Sequence, residues 1–211
     1  MALHAKQNVM KIVCLLSGGI DSTTLFFRLR KNKHELIPLL VNYGQKAFKK
    51  ELEVVQHICK ISELSPNIID ISGLSSISSG LTNNSESPID NPIFPNRNLI
   101  LLSVAAAFAE NQSCQVIAIG LIGDSSFADQ TKDFVRDAEV ALSHGHSITI
   151  LAPMIELNKL EVVRLAKENN ISLDFTYSCY FGGDEHCGKC LSCIDRMKVI
   201  EIEGLPESLK K

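Results

Sequence analysis

Neither sign of charge dominates this chain, and none of its apolar runs is long. The 211 residues carry 21 basic and 24 acidic side chains, a balance that gives no support to a broad surface for nucleic acid or membranes. Residues 99–109, among the longest apolar runs, are too short to span a bilayer and are better explained as a buried helix. The N-terminus does not resemble a signal peptide. We therefore expect a cytoplasmic protein that contacts neither nucleic acid nor a membrane directly.

Short runs of β-forming residues alternate with longer helical patterns along the chain. The predicted strands are 11–16, 36–42, 67–71, 115–121 and 147–151, and the predicted helices are 22–30, 47–61, 98–110, 132–142 and 159–169. Continuous apolar strands separated by helices are typical of a parallel sheet that is covered on both faces. We therefore predict a doubly wound α/β fold, with ligands bound beyond the carboxyl ends of the strands. The length suits a single domain over residues 1–211.

One segment interrupts this alternation. Residues 72–95 are rich in Ser, Asn, Pro and Gly and lack helical periodicity. A loop of that length inside a compact domain is usually a mobile lid, a partner surface or disordered chain. We predict a flexible loop that is disordered in the free protein and can become ordered when a ligand binds.

Four closely spaced cysteines lie near the C-terminus, in the segment 177–197. Cys179, Cys187, Cys190 and Cys193 follow the spacing Cys-x7-Cys-x2-Cys-x2-Cys, and four thiolates at such spacing can close a tetrahedral shell around zinc. The alternatives are two disulfides, which belong to small secreted chains, or thiols that merely cluster. His186 would replace a thiol only if one cysteine failed to ligate. We predict one structural zinc per chain, because a closed shell leaves no position for water. Lone cysteines at 14, 59 and 114 are expected in the core.

A glycine-containing turn follows the first predicted strand. It reads Ser-Gly-Gly-Ile-Asp-Ser over residues 17–22 and leads into an apolar helix. Glycines at a strand-to-helix turn let several backbone N–H groups point at one anion, and the helix N-terminus adds partial positive charge. The spacing fits neither the GxxxxGK[ST] loop nor the GxGxxG fingerprint. The turn therefore predicts a phosphate site, with an ordinary turn whose Asp21 or Ser22 caps the helix as the alternative.

The turn resembles the pyrophosphatase loop of enzymes that cleave ATP to AMP and pyrophosphate. Other segments match one such family in the same order: Asn42-Tyr43-Gly44-Gln45, Pro95-Asn96-Arg97-Asn98, Ala152-Pro153, Asn158-Lys159, Ser178-Cys179-Tyr180 and the four cysteines. Together these segments, from residue 11 to residue 197, resemble the 7-cyano-7-deazaguanine synthase (QueC) family. The resemblance implies the fold of the adenine-nucleotide alpha-hydrolases, also described as pyrophosphatase-loop or HUP-like.

The resemblance also implies an ATP-dependent carbon–nitrogen ligase. Such an enzyme adenylates the carboxylate of 7-carboxy-7-deazaguanine, lets ammonia displace AMP to give the amide, and uses a second ATP to form the nitrile. The cofactors would be ATP with Mg²⁺ and the structural zinc. Asp21, Arg97 and Lys159 would be catalytic, although Arg97 could be a surface arginine and Lys159 a solvated helix residue. The ATP-binding residues would be Leu16, Ser17, Gly18, Gly19, Ile20, Asp21, Ser22, Thr23, Tyr43 and Gln45, with a core role as the alternative for Tyr43.

The match departs from the family after the fourth predicted strand. Family members usually carry a loop with Asp-Cys-Arg there, whereas this chain keeps Asp124 and Asp129 and has Gln130 and Thr131 at the Cys and Arg positions. Asp124 and Asp129, with Arg97, would bind the deazaguanine, because a carboxylate can accept hydrogen bonds from a guanine-type edge. The alternative for Asp129 is a helix N-cap.

This departure leaves two further functions open. Relatives in antiphage defence clusters of the CBASS type would pass the activated deazaguanine to an amine of a partner protein. The second further function is that of a zinc-stabilised scaffold that binds nucleotide but does not catalyse a reaction. The expected partners are the small-molecule deazaguanine, ATP and a second copy of the chain in a homodimer, with a protein acceptor in the defence case.

Overall fold

In the part of the chain that the structure describes, five parallel strands form one sheet. The computed structural model describes residues 9–82, 86–123 and 127–206. The strands are β1 (Lys11–Leu15), β2 (Glu35–Asn42), β3 (Asn67–Asp70), β4 (Val116–Ala118) and β5 (Thr149–Leu151). Their order across the sheet is β3-β2-β1-β4-β5, and every neighbouring pair is parallel. The chain therefore winds outward in both directions from β1, which confirms the predicted doubly wound α/β fold.

Helices cover both faces of this sheet. They are α1 (Ile20–Lys31), α2 (Phe48–Ile61), α3 (Arg97–Asn111), α4 (Lys132–Leu142), α5 (Lys159–Glu168) and α6 (Leu191–Ile202), and a short 3₁₀ turn spans Ser72–Ser76. The first five match the predicted helices to within a few residues. Within the described ranges, none of the helices combines the length and apolarity that a membrane crossing requires.

The helix α6 was not predicted. Its buried face includes Cys193, Arg196, Val199 and Ile200, so a thiol and a guanidinium stand where the helical pattern needs apolar residues. The resulting sequence has weak helical periodicity, and its first turn falls inside the cysteine spacing that indicated a metal site.

Alternate side chains of β1 enter two separate cores. Ile12 and Cys14 pack with α1, α2, α5 and α6 on one face. Val13 and Leu15 pack with α3 and α4 on the other. Such alternation is what a strand buried on both faces produces. The lone cysteines are buried, as expected, and burial raises the pKa of Cys14 to about 12.

The described part of the segment 72–95 packs against the end of β2. Leu81 and Phe94 form a small apolar cluster with Tyr43. The Ser79 hydroxyl donates to the carbonyl of Ile93 over 2.7 Å and helps to close the segment on itself. The segment therefore has a defined resting position, and its mobility in the free protein stays a prediction.

Candidate functional site

A cavity of about 560 Å³ opens at the carboxyl ends of the strands. Its inner wall is formed by apolar strand ends, including Leu15, Leu39, Val41 and Ile119. The remaining walls come from the α1 N-terminus, the start of α3, the start of α5 and the segment 177–197. This location, next to the point where the strand order reverses between β1 and β4, is where open α/β sheets bind ligands.

The turn after β1 presents the first backbone N–H groups of α1 to the cavity. The helix begins at Ile20, and no side chain caps it, so its first-turn N–H groups have no intrahelical partner. The capping roles considered for Asp21 and Ser22 are therefore wrong: both lie inside the helix. Gly18 has a φ of +78°, and a Cβ there would lie 2.6 Å from Cγ1 of Val54, so only glycine fits.

Ser22 shapes the turn through its hydroxyl. The hydroxyl accepts from the backbone N–H of Ser17 over 3.3 Å and donates to the carbonyl of Gly19 over 3.3 Å. Next to it, the hydroxyls of Thr23 and Thr24 are buried without a hydrogen-bond partner. The Ser22 hydroxyl thus ties the turn to the first turn of α1 and lines the cavity, whereas Thr23 and Thr24 are not among the cavity-lining residues.

Two of the predicted catalytic residues form an ion pair in the cavity. The Lys159 ammonium lies 2.7 Å and 2.6 Å from the two carboxylate oxygens of Asp21. Lys159 is placed by a capping box at the start of α5, where Asn158 and Glu161 exchange side-chain and backbone hydrogen bonds. Both members of the pair are about one-quarter exposed and line the cavity. Lys159 is therefore positioned at the site and is not a solvated helix residue.

Arg97 begins α3 and turns its guanidinium into the molecule. It lies beside the hydroxyl of Tyr43, a residue that is itself buried and packs on Phe94. Burial works against the charge of Arg97, but Tyr43, Tyr180 and Asp129 together hold its pKa above the ordinary value. Burial is also the main reason why the pKa of Tyr43 rises to about 12. The cavity wall therefore contains a fixed cation, and the surface role considered for Arg97 is wrong.

Gln45 holds the local structure together with Glu51 of α2. Its side-chain oxygen accepts from the N–H of Tyr43, and its amide nitrogen donates to the carbonyl of Val41 and to Glu51 over 2.7 Å. Both amide hydrogens are thus committed to the protein. Glu51 lines the cavity, and its burial, opposed by Gln45 and Arg97, raises its pKa to about 7. Sequence reasoning missed Glu51, which sits in an ordinary amphipathic helix.

The four predicted thiols converge on one point. All Sγ atoms of Cys179, Cys187, Cys190 and Cys193 lie within 4.8 Å of one another, and those of Cys187 and Cys193 are 3.9 Å apart. Sulfurs around tetrahedral zinc are separated by about 3.8 Å, so the group fits a metal. The backbone N–H groups of Lys189 and Cys190 donate to the Cys187 sulfur over 3.4 Å and 3.3 Å, as expected around a metal-bound thiolate.

The histidine inside this segment is occupied elsewhere. Nε2 of His186 accepts a hydrogen bond from the N–H of Ser178 over 3.0 Å.

The segment 177–197 also contacts the turn after β1, because the N–H of Tyr177 donates to the carbonyl of Gly18 over 3.0 Å. Buried Arg196 ties α6 to the chain before it by donating to the hydroxyl of Thr176 over 2.8 Å.

Among the described residues, Arg97 is the predicted substrate residue that lines the cavity. Asp124 lies outside the described residues. Asp129 does not line the cavity; its carbonyl accepts from the Asn98 amide over 3.2 Å. Its proposed capping role is wrong, since Thr131 caps α4 through a hydrogen bond from Phe134. Cavity-lining residues to which the sequence assigned no role include Asn98, Phe127, Gln130, Tyr180, Leu191, Ser192, Asp195 and Lys198.

Solved structures with the same fold include two with distant sequences. The U34-tRNA thiolase NcsA from Methanococcus maripaludis, solved with its 4Fe-4S cluster, aligns with a TM-score of 0.58 and 17% identity over 96% of this chain and 70% of its own. An NMN synthetase from Francisella tularensis aligns with a TM-score of 0.54 and 14% identity, over 97% of this chain and 81% of its own. At such identities the likeness establishes the fold alone.

Comparison with related sequences identifies the family to which the chain belongs. The family model described as queuosine biosynthesis protein QueC matches residues 11–203. A 7-cyano-7-deazaguanine synthase of Campylobacter jejuni is 34% identical over 95% of this chain and 97% of its own length. Another 7-cyano-7-deazaguanine synthase, from Nautilia profundicola, is 36% identical over 94% of this chain and 97% of its own length. Since the match spans nearly the whole chain and includes the loop after β1 and the four cysteines, the chain belongs to the QueC family.

Proposed function

We propose that the protein is an ATP-dependent ligase that converts 7-carboxy-7-deazaguanine into the 7-cyano base. The observation that carries this proposal is the meeting of an uncapped α1 N-terminus, the Asp21–Lys159 pair and Arg97 around one cavity. These groups supply an anion site, a carboxylate and two cations within one volume, as an adenylation reaction needs. Membership of the QueC family supports the choice of substrate.

ATP would lie along the strand ends. The apolar carboxyl ends of β1, β2 and β4 offer a slot for adenine, and the backbone of residues 16–23 would hold the pyrophosphate portion. Tyr43 and Gln45 line this slot, with the Tyr43 hydroxyl beside Arg97 and the Gln45 amide bound to Glu51. Their part in nucleotide binding is then indirect.

The chemistry consists of two displacement sequences. A substrate carboxylate oxygen attacks the α-phosphorus and pyrophosphate leaves; ammonia then attacks the carbonyl carbon, AMP departs with the C–O electron pair, and nitrogen loses a proton. In the second round the amide oxygen attacks the α-phosphorus of another ATP and pyrophosphate leaves; the nitrogen then gives up both of its protons as AMP departs with the C–O electron pair, which leaves the nitrile. Arg97 would bind the substrate carboxylate, and Lys159 would stabilise charge at the phosphates.

Two metal ions belong to this proposal. Asp21 would hold Mg²⁺, which neutralises phosphate charge when bound. In the resting site the Asp21 carboxylate forms an ion pair with Lys159 instead. The four thiols would hold zinc, whose closed shell gives it a structural part.

A single reaction mixture tests the proposal. With ATP, Mg²⁺, ammonia and 7-carboxy-7-deazaguanine, wild-type protein should release AMP and pyrophosphate and form first the amide and then the nitrile. Replacing Asp21→Asn should reduce turnover by about a hundredfold or more, with unchanged metal content and melting temperature. Release of ADP would contradict the proposal. Attachment of the base to a co-expressed protein, seen by mass spectrometry, would favour the defence reaction instead.

A further inference from the structure

The helix α6 brings an acidic side chain to the cavity. Asp195 lines the cavity together with Leu191, Ser192 and Lys198 of the same helix. Among the residues that the structure describes, its carboxylate has no hydrogen-bond or ion-pair partner. A half-buried carboxylate that faces a cavity without a partner keeps its acceptor capacity for a ligand.

The orientation of Asp195 is fixed by its neighbours in sequence. Cys193 is fully buried in the cysteine cluster, and Arg196 is buried with its guanidinium donating to Thr176 and Ser178 over 2.8 Å and 3.3 Å. These two anchors set the rotation of α6. Asp195 is therefore presented by a rigid helix, and not by a mobile loop.

The charges of the cavity decide which part of a ligand Asp195 can meet. The anion-binding part proposed above contains the α1 N-terminus, Lys159 and Arg97. Its carboxylate, Asp21, is neutralised by Lys159, whereas Asp195 has no such ion pair and phosphates would repel it. Adenine is a poor partner as well, since its amino group stands beside the acceptor N1. A guanine-type edge instead places the N1–H and the 2-amino group side by side, and these two donors match two carboxylate oxygens.

We propose that Asp195 determines base specificity by accepting both donors of the deazaguanine edge, at the end of the cavity formed by the segment 177–197. This assignment rests on the proposed function. It places the base between the aromatic side chains of Tyr180 and Phe127 and the helix α6, all of which line the cavity. The substrate's carboxylate then points back toward Arg97 and the nucleotide.

The test compares the substrate with its analogue lacking the 2-amino group. Steady-state AMP formation is measured for wild type, Asp195→Asn and Asp195→Ala, with Glu201→Gln as the control because Glu201 is an exposed carboxylate on the same helix. A hydrogen bond to a charged group contributes roughly tenfold to a hundredfold in binding. Both Asp195 variants should raise KM for the substrate about 30-fold or more. Wild type should discriminate against the analogue about tenfold or more, and Asp195→Asn should lose most of that preference. KM for ATP, kcat at saturation, metal content and melting temperature should change little.

The outcomes separate this inference from the proposed function. If wild type forms AMP with the substrate and Asp195→Asn keeps the same KM and the same discrimination, the role of Asp195 is refuted and the function stands. A fall in kcat with unchanged KM would refute it equally. If wild type binds ATP but forms no AMP with the substrate, the proposed function itself fails.

Discussion

At the scale of single residues, Lys159 and Asp21 hold each other in the resting site at 2.6–2.7 Å. Replacing Lys159→Gln removes a cation that the transition state is proposed to need, so kcat/KM for ATP should fall on the order of a hundredfold. The pair is partly exposed, so the melting temperature should move little. Pyrophosphate release and thermal unfolding measure the two effects.

Lys167→Gln is the matched control for that variant. Lys167 is on the same helix and pairs with Glu203 over 2.8 Å on the outer surface, away from the cavity. Equal losses of activity in the two variants would show that charge on α5, and not contact with ATP, is what matters.

Glu51 predicts a pH dependence of stability. Its pKa is about 7 in the folded protein, against an ordinary value of 4.5, so the folded state retains a proton that the unfolded chain has lost. The free energy of unfolding should therefore fall as pH rises from about 4.5 to about 7 and stay at the lower value above that, with an upper bound on the order of 3 kcal/mol.

Replacing Glu51→Gln removes this penalty. Urea unfolding at pH 5 and pH 8 should show the variant gaining stability relative to wild type at the higher pH only. The control is Glu53→Gln, on the exposed side of the same helix. Parallel pH profiles for wild type and Glu51→Gln would rule out the raised pKa.

At the scale of elements, α6 depends on the cysteine cluster at its first turn. Cys190 precedes α6 directly and is buried among the other thiols. Cys190→Ser should bind less metal, be recovered in lower soluble yield and melt at a lower temperature, because a structural metal contributes folding free energy. Cys59→Ser, in the core and distant from the cluster, should keep its metal. A metal-free protein with an unchanged melting temperature would refute the structural role.

The sequence alone predicted the strands of the sheet but did not predict the helix α6. Strands such as β1 are buried on both faces, so they appear in the sequence as continuous apolar runs. In α6 the buried face includes Cys193 and Arg196, so the spacing of its apolar residues does not indicate a helix. Four of the cavity residues that had no predicted role follow from the same gap, since Leu191, Ser192, Asp195 and Lys198 all come from that helix. Conversely, Asp21, Arg97 and Lys159 were assigned to the site because the segments that contain them resemble the motifs of one enzyme family. Gln45 could not be assigned a structural role from sequence, because its bond to Glu51 depends on how α2 packs.

At the scale of the whole molecule, the described part of the segment 72–95 packs next to a wall of the cavity. Its Leu81 and Phe94 pack on Tyr43, whose hydroxyl lies beside Arg97. Ligand binding at Arg97 should therefore stabilise the segment, and limited proteolysis within it should slow when ATP and substrate are present together. Cleavage at the same rate with and without ligands would contradict this coupling. The expected homodimer and the cytoplasmic location stay proposals, which light scattering and cell fractionation test.

One backbone hydrogen bond connects the two halves of the site: the N–H of Tyr177 donates to the carbonyl of Gly18. Through it, the chain leading to the thiols also holds the loop proposed to grip pyrophosphate. Whatever loosens one end costs binding at the other, and thermodynamic reciprocity makes the effect equal in both directions. Nucleotide would therefore protect the metal from chelators by the same factor by which the metal improves nucleotide affinity, and the catalytic capacity of such a protein would follow the metal supply of its cell.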